Sequence, residues 1–156
     1  MTRHFLYPST MFASAQPAEV TTILGSCVAV CLWDRYLGIG GINHYMLPTW
    51  NGMELASPKY GNIAIERLTE KMFQLGCKKN NLVAKVFGGG EVISVSSSTM
   101  HIGERNVMVA EEMLLERNIP IIGRSTGGKN GRKIIFNTHT GEVLQCYIKN
   151  SIGTGR

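Results

Sequence analysis

A chain of 156 residues with 44% hydrophobic and 17% charged residues holds enough apolar material for one self-supporting core, and too little charge for a disordered chain. Its net charge of +5 comes from scattered lysines and arginines that do not interleave with aromatic residues, which argues against a nucleic-acid partner. The longest apolar run, Cys27 to Trp33, falls far short of the ~20 residues of a membrane-spanning helix.

The opening segment, MTRHFLYPSTMF, has no long apolar stretch of the secretory kind. A reduced, cytoplasmic protein with no membrane insertion is the expectation, and residues 1–156 read as a single domain without repeats. CVAVCLW is a continuous, valine-rich apolar run, the pattern of a strand buried on both faces. DRYLG turns the chain, and IGGINHYML reads as a second strand with glycines where backbones approach closely. Residues 47–61, with Pro48, Asn51-Gly52, Pro58 and Gly61, form a long surface loop.

NIAIERLTEKMFQLG then sets Ile65, Leu68, Met72 and Leu75 on one helical face, with Gly76 as its stop. LVAKVFGGG is strand-like. IGERNVMVAEEMLLERN is a second amphipathic helix, with Val109 or Ala110, Met113, Leu114 and Arg117 in register. IPIIG is a short strand, and RKIIFNT and EVLQCYIK make a C-terminal hairpin about HTG, with Leu144, Cys146 and Ile148 on one face. The order β-β-α-β-α-β-β-β favours an α+β fold, two helices on a mixed or antiparallel sheet, over a doubly wound one.

Three chemistries compete for these residues. GRSTGGKN, Gly123 to Asn130, nearly spells a phosphate-binding loop, but Asn130 replaces the metal-binding hydroxyl and a strand-like GRKIIF follows where a helix is needed. Cys27, Cys31, His44 and Cys146 supply donors for zinc, yet no paired spacing recurs, and Cys27 and Cys31 on a strand are too far apart to chelate one ion. No metal and no cofactor is expected. The third chemistry is a nucleophile with its base. Cys27 follows Gly25-Ser26, where the chain bends and exposes a sulfur, and His44 lies on the next strand, within reach if the two pair as a hairpin. Thr21 or Thr22 is placed to orient the imidazole, and backbone N–H groups of the Gly-Ser-Cys turn to face an oxyanion. The competing reading of both residues is a core cysteine and a quietly hydrogen-bonded histidine.

LGSCVAVCLWD followed by GGINHYMLP resembles the signature of the chemoreceptor glutamine deamidases, the CheD family. KYGNIAIERL, KVFGGG, IGERNV and GGKNGRKIIFNTHTGEV extend the resemblance through most of the chain. It implies an α+β fold of layered mixed or antiparallel sheets flanked by helices, a cysteine-hydrolase-like sandwich. It also implies an amidohydrolase acting on glutamines in the cytoplasmic domains of chemoreceptors, with a CheC-type phosphatase as a further partner. By motif position Cys27 matches the family's nucleophile, His44 its general base, and Thr21, six residues before the cysteine, the threonine that orients the histidine. The alternative is a non-catalytic chemotaxis adaptor of the same fold, whose main role is binding the CheC-type partner.

Overall fold

The computed structural model describes residues 1–91 and 101–149. Chain order is β1 (Thr2–Phe5), β2 (Met11–Ser14), β3 (Ala18–Leu24), β4 (Val28–Asp34), β5 (Ile39–Asn43), α1 (Gly61–Gln74), β6 (Leu82–Gly88), α2 (Ile102–Glu116), β7 (Ile121–Thr126), β8 (Gly131–Asn137) and β9 (Val143–Ile148). From β4 onward this is the order that periodicity predicts. Three further strands precede it. Among them β1 and β2 are four residues long and have no buried position, so no apolar alternation marks them.

The strands form two sheets, one of four in the order β1-β3-β8-β9 and one of five in the order β2-β5-β4-β6-β7. Both are mixed: β1 joins β3 and β7 joins β6 in parallel, and the other pairings are antiparallel. The architecture is α+β, with three layers. Strand β4 explains the layering, because its side chains feed two cores. Val28, Val30 and Leu32 pack under Ile65, Leu68 and Met72 of α1 and Ala110 and Leu114 of α2. Ala29 and Cys31 meet Val20, Leu24, Ile134 and Phe136 of the four-stranded sheet. A strand buried on both faces has to be apolar at every position, which is why CVAVCLW is a run and not an alternation.

The glycine pair of β5 serves both layers. A Cβ on Gly40 would press on Thr138 and Phe136, and one on Gly41 on Leu68 and Met72. Helix α1 buries Ile65, Leu68 and Met72 and stops at Gly76, whose φ of +99° lies in the left-handed region. In the C-terminal hairpin Leu144, Cys146 and Ile148 do share a face, but register puts it on the outer side of the four-stranded sheet, with Leu144 63% exposed. Strand β8 follows the glycine-rich 127–130 turn directly.

Candidate active site

Strand parity places the cysteine and the histidine on one face of the five-stranded sheet. The β4–β5 register pairs Cys31 with Ile42, and an isolated bridge between Val28 and Tyr45 carries it beyond the end of β5. His44 therefore lies across from Ala29, and Cys27 is its diagonal neighbour on the face between the sheets. Diagonal neighbours sit about 7–8 Å apart, within reach of long side chains. The methyl of Ala29 leaves the intervening space to the imidazole.

His44 is 2% exposed, and its orientation is set from the other sheet. Its Nδ1 lies 2.7 Å from the Thr22 hydroxyl, which in turn donates to the Leu6 carbonyl at 2.8 Å. A hydroxyl has one proton, and Thr22 spends it on Leu6, so at His44 it accepts. The proton of the neutral imidazole is thereby assigned to Nδ1, and Nε2 keeps its lone pair. Thr21, the residue matched by motif spacing, does not make this contact. It faces the outer side of the four-stranded sheet, in a shallow groove with Glu19, Ile23, Lys133 and Ile135. The correction follows from the two-residue period of β3: Val20, Thr22 and Leu24 point inward, so Thr21 cannot.

Burial sets the resting protonation. It lowers His44 to about 4, so the imidazole is a free base near neutrality. It raises the half-buried Cys27 thiol above its ordinary value, opposed by a hydrogen bond from the residue's own backbone N–H. The pair rests as thiol and neutral imidazole. The same N–H beside the sulfur is a donor for charge that develops there.

The turn carrying Cys27 is clamped by residues distant in sequence. Gly89 N–H donates to the Cys27 carbonyl and Gly90 N–H to the Gly25 carbonyl, each at 2.9 Å. Gly88 has a φ of +108°, and any Cβ there would collide with the Cys27 carbonyl oxygen. Asn106 of α2, fully buried, donates its amide to Ser26 O at 2.9 Å and Met46 O at 3.0 Å, tying the residue before the cysteine to the segment after the histidine. The Tyr45 hydroxyl holds the Asn106 backbone carbonyl at 2.5 Å. Arg132, 1% exposed, gathers the carbonyls of Ser125, Gly127 and Asn130 and stacks on Tyr147. That orders the turn whose Gly127 N–H and Gly128 carbonyl bond to Gly88 and Glu91.

The other cysteines are placed differently. Cys31 is buried, with its thiol pushed far up by burial. Cys77 is pushed up to about 11 by burial and the neighbouring Asp34. Cys146 is exposed on β9. Among the described residues no three His, Cys, Asp or Glu side chains converge as a metal site would require.

The chain matches the family described as CheD chemotactic sensory transduction over residues 46–146. It is 54% identical to a probable chemoreceptor glutamine deamidase CheD of Trichlorobacter lovleyi, over 91% of this chain and 88% of that protein. Proteins of the same description from Sulfurimonas denitrificans and Rhodospirillum rubrum are 42% and 44% identical, over 96% and 97% of this chain and 96% and 86% of theirs. The chain belongs to the CheD family.

In this CheD-family chain, sequence reasoning singled out Cys27 and His44 as candidates and left Asn106 and Arg132 unremarked. Each had a signal. Asn106 occupies the buried stripe of α2 with Gly103, Ala110 and Leu114, where a polar residue needs a partner. Arg132 holds the inward parity of Ile134 and Phe136 in β8, an unusual place for a guanidinium.

Proposed function

We propose that this chain is a protein-glutamine deamidase of chemoreceptors in which Cys27 is the nucleophile, His44 the general acid and base, and Thr22 the positioning residue for His44. The observation that carries the reading is the Thr22–His44 bond, which leaves a basic Nε2 on the face that Cys27 shares. The curated relatives, described as probable chemoreceptor glutamine deamidases, supply the substrate class.

Nε2 of His44 takes the Cys27 thiol proton as the sulfur attacks the carboxamide carbon of the glutamine. The tetrahedral oxyanion collapses, breaking the C–N bond, and the imidazolium returns its proton to the leaving nitrogen as ammonia departs. Water then gives a proton to Nε2 and its oxygen to the thioester carbonyl. The second intermediate expels the Cys27 sulfur, which recovers the proton from His44, and glutamate is left. One water is consumed and one ammonia released, with no redox change and no cofactor required by the balance.

We place the reaction in the cytoplasm, carried by a single domain over residues 1–156. Among the described residues no helix is long and apolar enough to cross a membrane. A CheC-type phosphatase as partner belongs to the same proposal, supported by family membership.

The test is mass spectrometry of chemoreceptor cytoplasmic fragments incubated with wild-type protein and with Cys27→Ala. Conversion of particular glutamines to glutamate by the wild type alone is the expected result. Equal conversion by a folded Cys27→Ala or His44→Ala variant overturns the assignment.

A further inference from the structure

Strands β4 and β5 pair without interruption from Asp34–Ile39 to Cys31–Ile42, and the pairing resumes at Val28–Tyr45. Among the described residues the two positions between, Val30–Asn43 and Ala29–His44, make no ladder pair. Val28 and Tyr45 exchange both of their main-chain bonds, at 3.1 and 3.0 Å. Antiparallel alternation would therefore send the Val30 N–H, two residues on, to the main-chain carbonyl of Asn43. It goes instead to the Asn43 side chain, with Oδ1 at 2.8 Å. One side-chain amide is interposed between the strands, and the opening it makes lies at His44.

The main chain of His44 is held from the opposite side. Its N–H donates to the Thr10 carbonyl at 3.2 Å, and its own carbonyl accepts the Ser9 N–H at 2.8 Å. Strand β5 is thus tied to the segment before β2 at the point where it is released from β4, the strand that Cys27 precedes. A closed ladder would draw the two strands to about 4.8 Å. With the amide between them, the distance from imidazole to sulfur is set by Asn43 and not by the ladder.

Stability alone does not account for an asparagine here. Asn43 is 0% exposed, and its Nδ2 has no hydrogen-bond partner among the described residues. It has the parity of Tyr45 and stands opposite Val30, both members of the apolar core under the helices. A valine at this position would remove the unpartnered donor and leave the Val30 N–H free to take the main-chain carbonyl. A buried polar group that the fold would be better without calls for another reason to be there.

We infer that Asn43 is a positioning residue for the deamidation: its side-chain amide wedges β5 from β4 and sets the approach of His44 Nε2 to the Cys27 sulfur. The inference rests on the deamidase reading above. Asn43 belongs to the helix side of the sheet and Cys27 and His44 to the other, so it acts through the main chain of His44. Its effect falls on the chemical step and not on association.

The experiment compares wild type, Asn43→Val and Asn43→Asp. Three readouts are taken: deamidation kinetics on a purified chemoreceptor cytoplasmic fragment, Tm, and NMR. The NMR arm follows the coupling across the Val30 hydrogen bond and the nitrogen shifts of the His44 ring. In wild type the Val30 N–H couples to the side-chain carbonyl of Asn43, and the ring shows the Nδ1-protonated form. In Asn43→Val we expect the coupling to move to the main-chain carbonyl of residue 43 and the ring shifts to move as His44 leaves Thr22. Its Tm stays within about 3 °C of wild type or rises. Its kcat falls roughly tenfold or more, with KM within about twofold. Asn43→Asp keeps the acceptor for Val30 N–H and buries a carboxylate, so it loses Tm and recovers most of kcat. That crossing of activity and stability is what a merely structural asparagine would not give.

An unchanged kcat in Asn43→Val overturns the inference, as do ring shifts that stay in place once the ladder has closed. An Asn43→Val that unfolds overturns it too, because the amide would then be holding the sheet together and not placing the histidine. So does an Asn43→Asp that loses as much kcat as Asn43→Val. A wild type that leaves every glutamine intact overturns the deamidase reading, and the ring shifts still decide whether Asn43 places His44.

Discussion

Thr22 and Thr21 are adjacent, chemically identical and opposite in role. Replacing Thr22 by Val keeps the shape and removes one hydroxyl that makes two bonds, 2.7 Å to His44 Nδ1 and 2.8 Å to the Leu6 carbonyl. Both partners are then left in a site where Thr22 itself is 0% exposed. An unmet buried polar group costs about 1–3 kcal/mol, so the pair predicts a loss of about 2–4 kcal/mol once some relaxation is allowed. In a domain of this size that lowers Tm by roughly 5–15 °C. The same change frees the imidazole to rotate or to move its proton to Nε2. A loss of about 1–3 kcal/mol of orientation lowers kcat roughly 5- to 150-fold. Thr22→Ser keeps the hydroxyl and restores most of both, and Thr21→Val changes neither. The assay is thermal unfolding alongside receptor deamidation. Loss of activity in Thr21→Val with a normal Thr22→Val would show that the parity assigned to β3 is wrong.

Three further outcomes follow from the same geometry. His44 has its folded value lowered to about 4 from 6.5, so between those two values the unfolded chain binds a proton that the native state refuses, and stability falls as pH drops through that window. Urea unfolding should show about 2 kcal/mol less stability at pH 5 than at pH 7 from this residue, a component absent from His44→Asn, and kcat/KM should hold down to an acid limb near His44's own value. Gly88→Ala meets the Cys27 carbonyl, whereas Gly76→Ala, also at positive φ, meets open space. The first should cost activity and more than the ~1–3 kcal/mol of backbone strain that limits the second, as seen by calorimetry and turnover. Asn106→Asp is the same size but turns acceptors toward the Ser26 and Met46 carbonyls. We expect at least ~3 kcal/mol of destabilisation and a kcat loss that Met108→Ala, an exposed neighbour on the same helix, does not share.

Much of this protein was legible in its sequence, for identifiable reasons. The apolar run of β4, the stripe Ile65, Leu68 and Met72, and the stop at Gly76 are local periodicities, and they survive folding because a strand or helix buries the face its sequence presents. Cys27 and His44 were legible as a pair because one hairpin carries both. The first three strands were not. The short exposed pieces β1 and β2 carry no alternation, and the inward row of β3 is broken by a threonine whose partner lies in another sheet.

What the sequence by itself determined is therefore the elements from β4 onward and the placing of Cys27 and His44 on one hairpin, since both follow from spacing along short chain segments. Which threonine serves the histidine, and that Asn106 and Arg132 brace the turn, were decided by the tertiary structure alone. Asn106 lies 80 residues from Ser26, the carbonyl it holds, and no local pattern encodes that meeting. A buried polar side chain takes whichever partner the packed layers place beside it, and that choice exists only once the layers are packed.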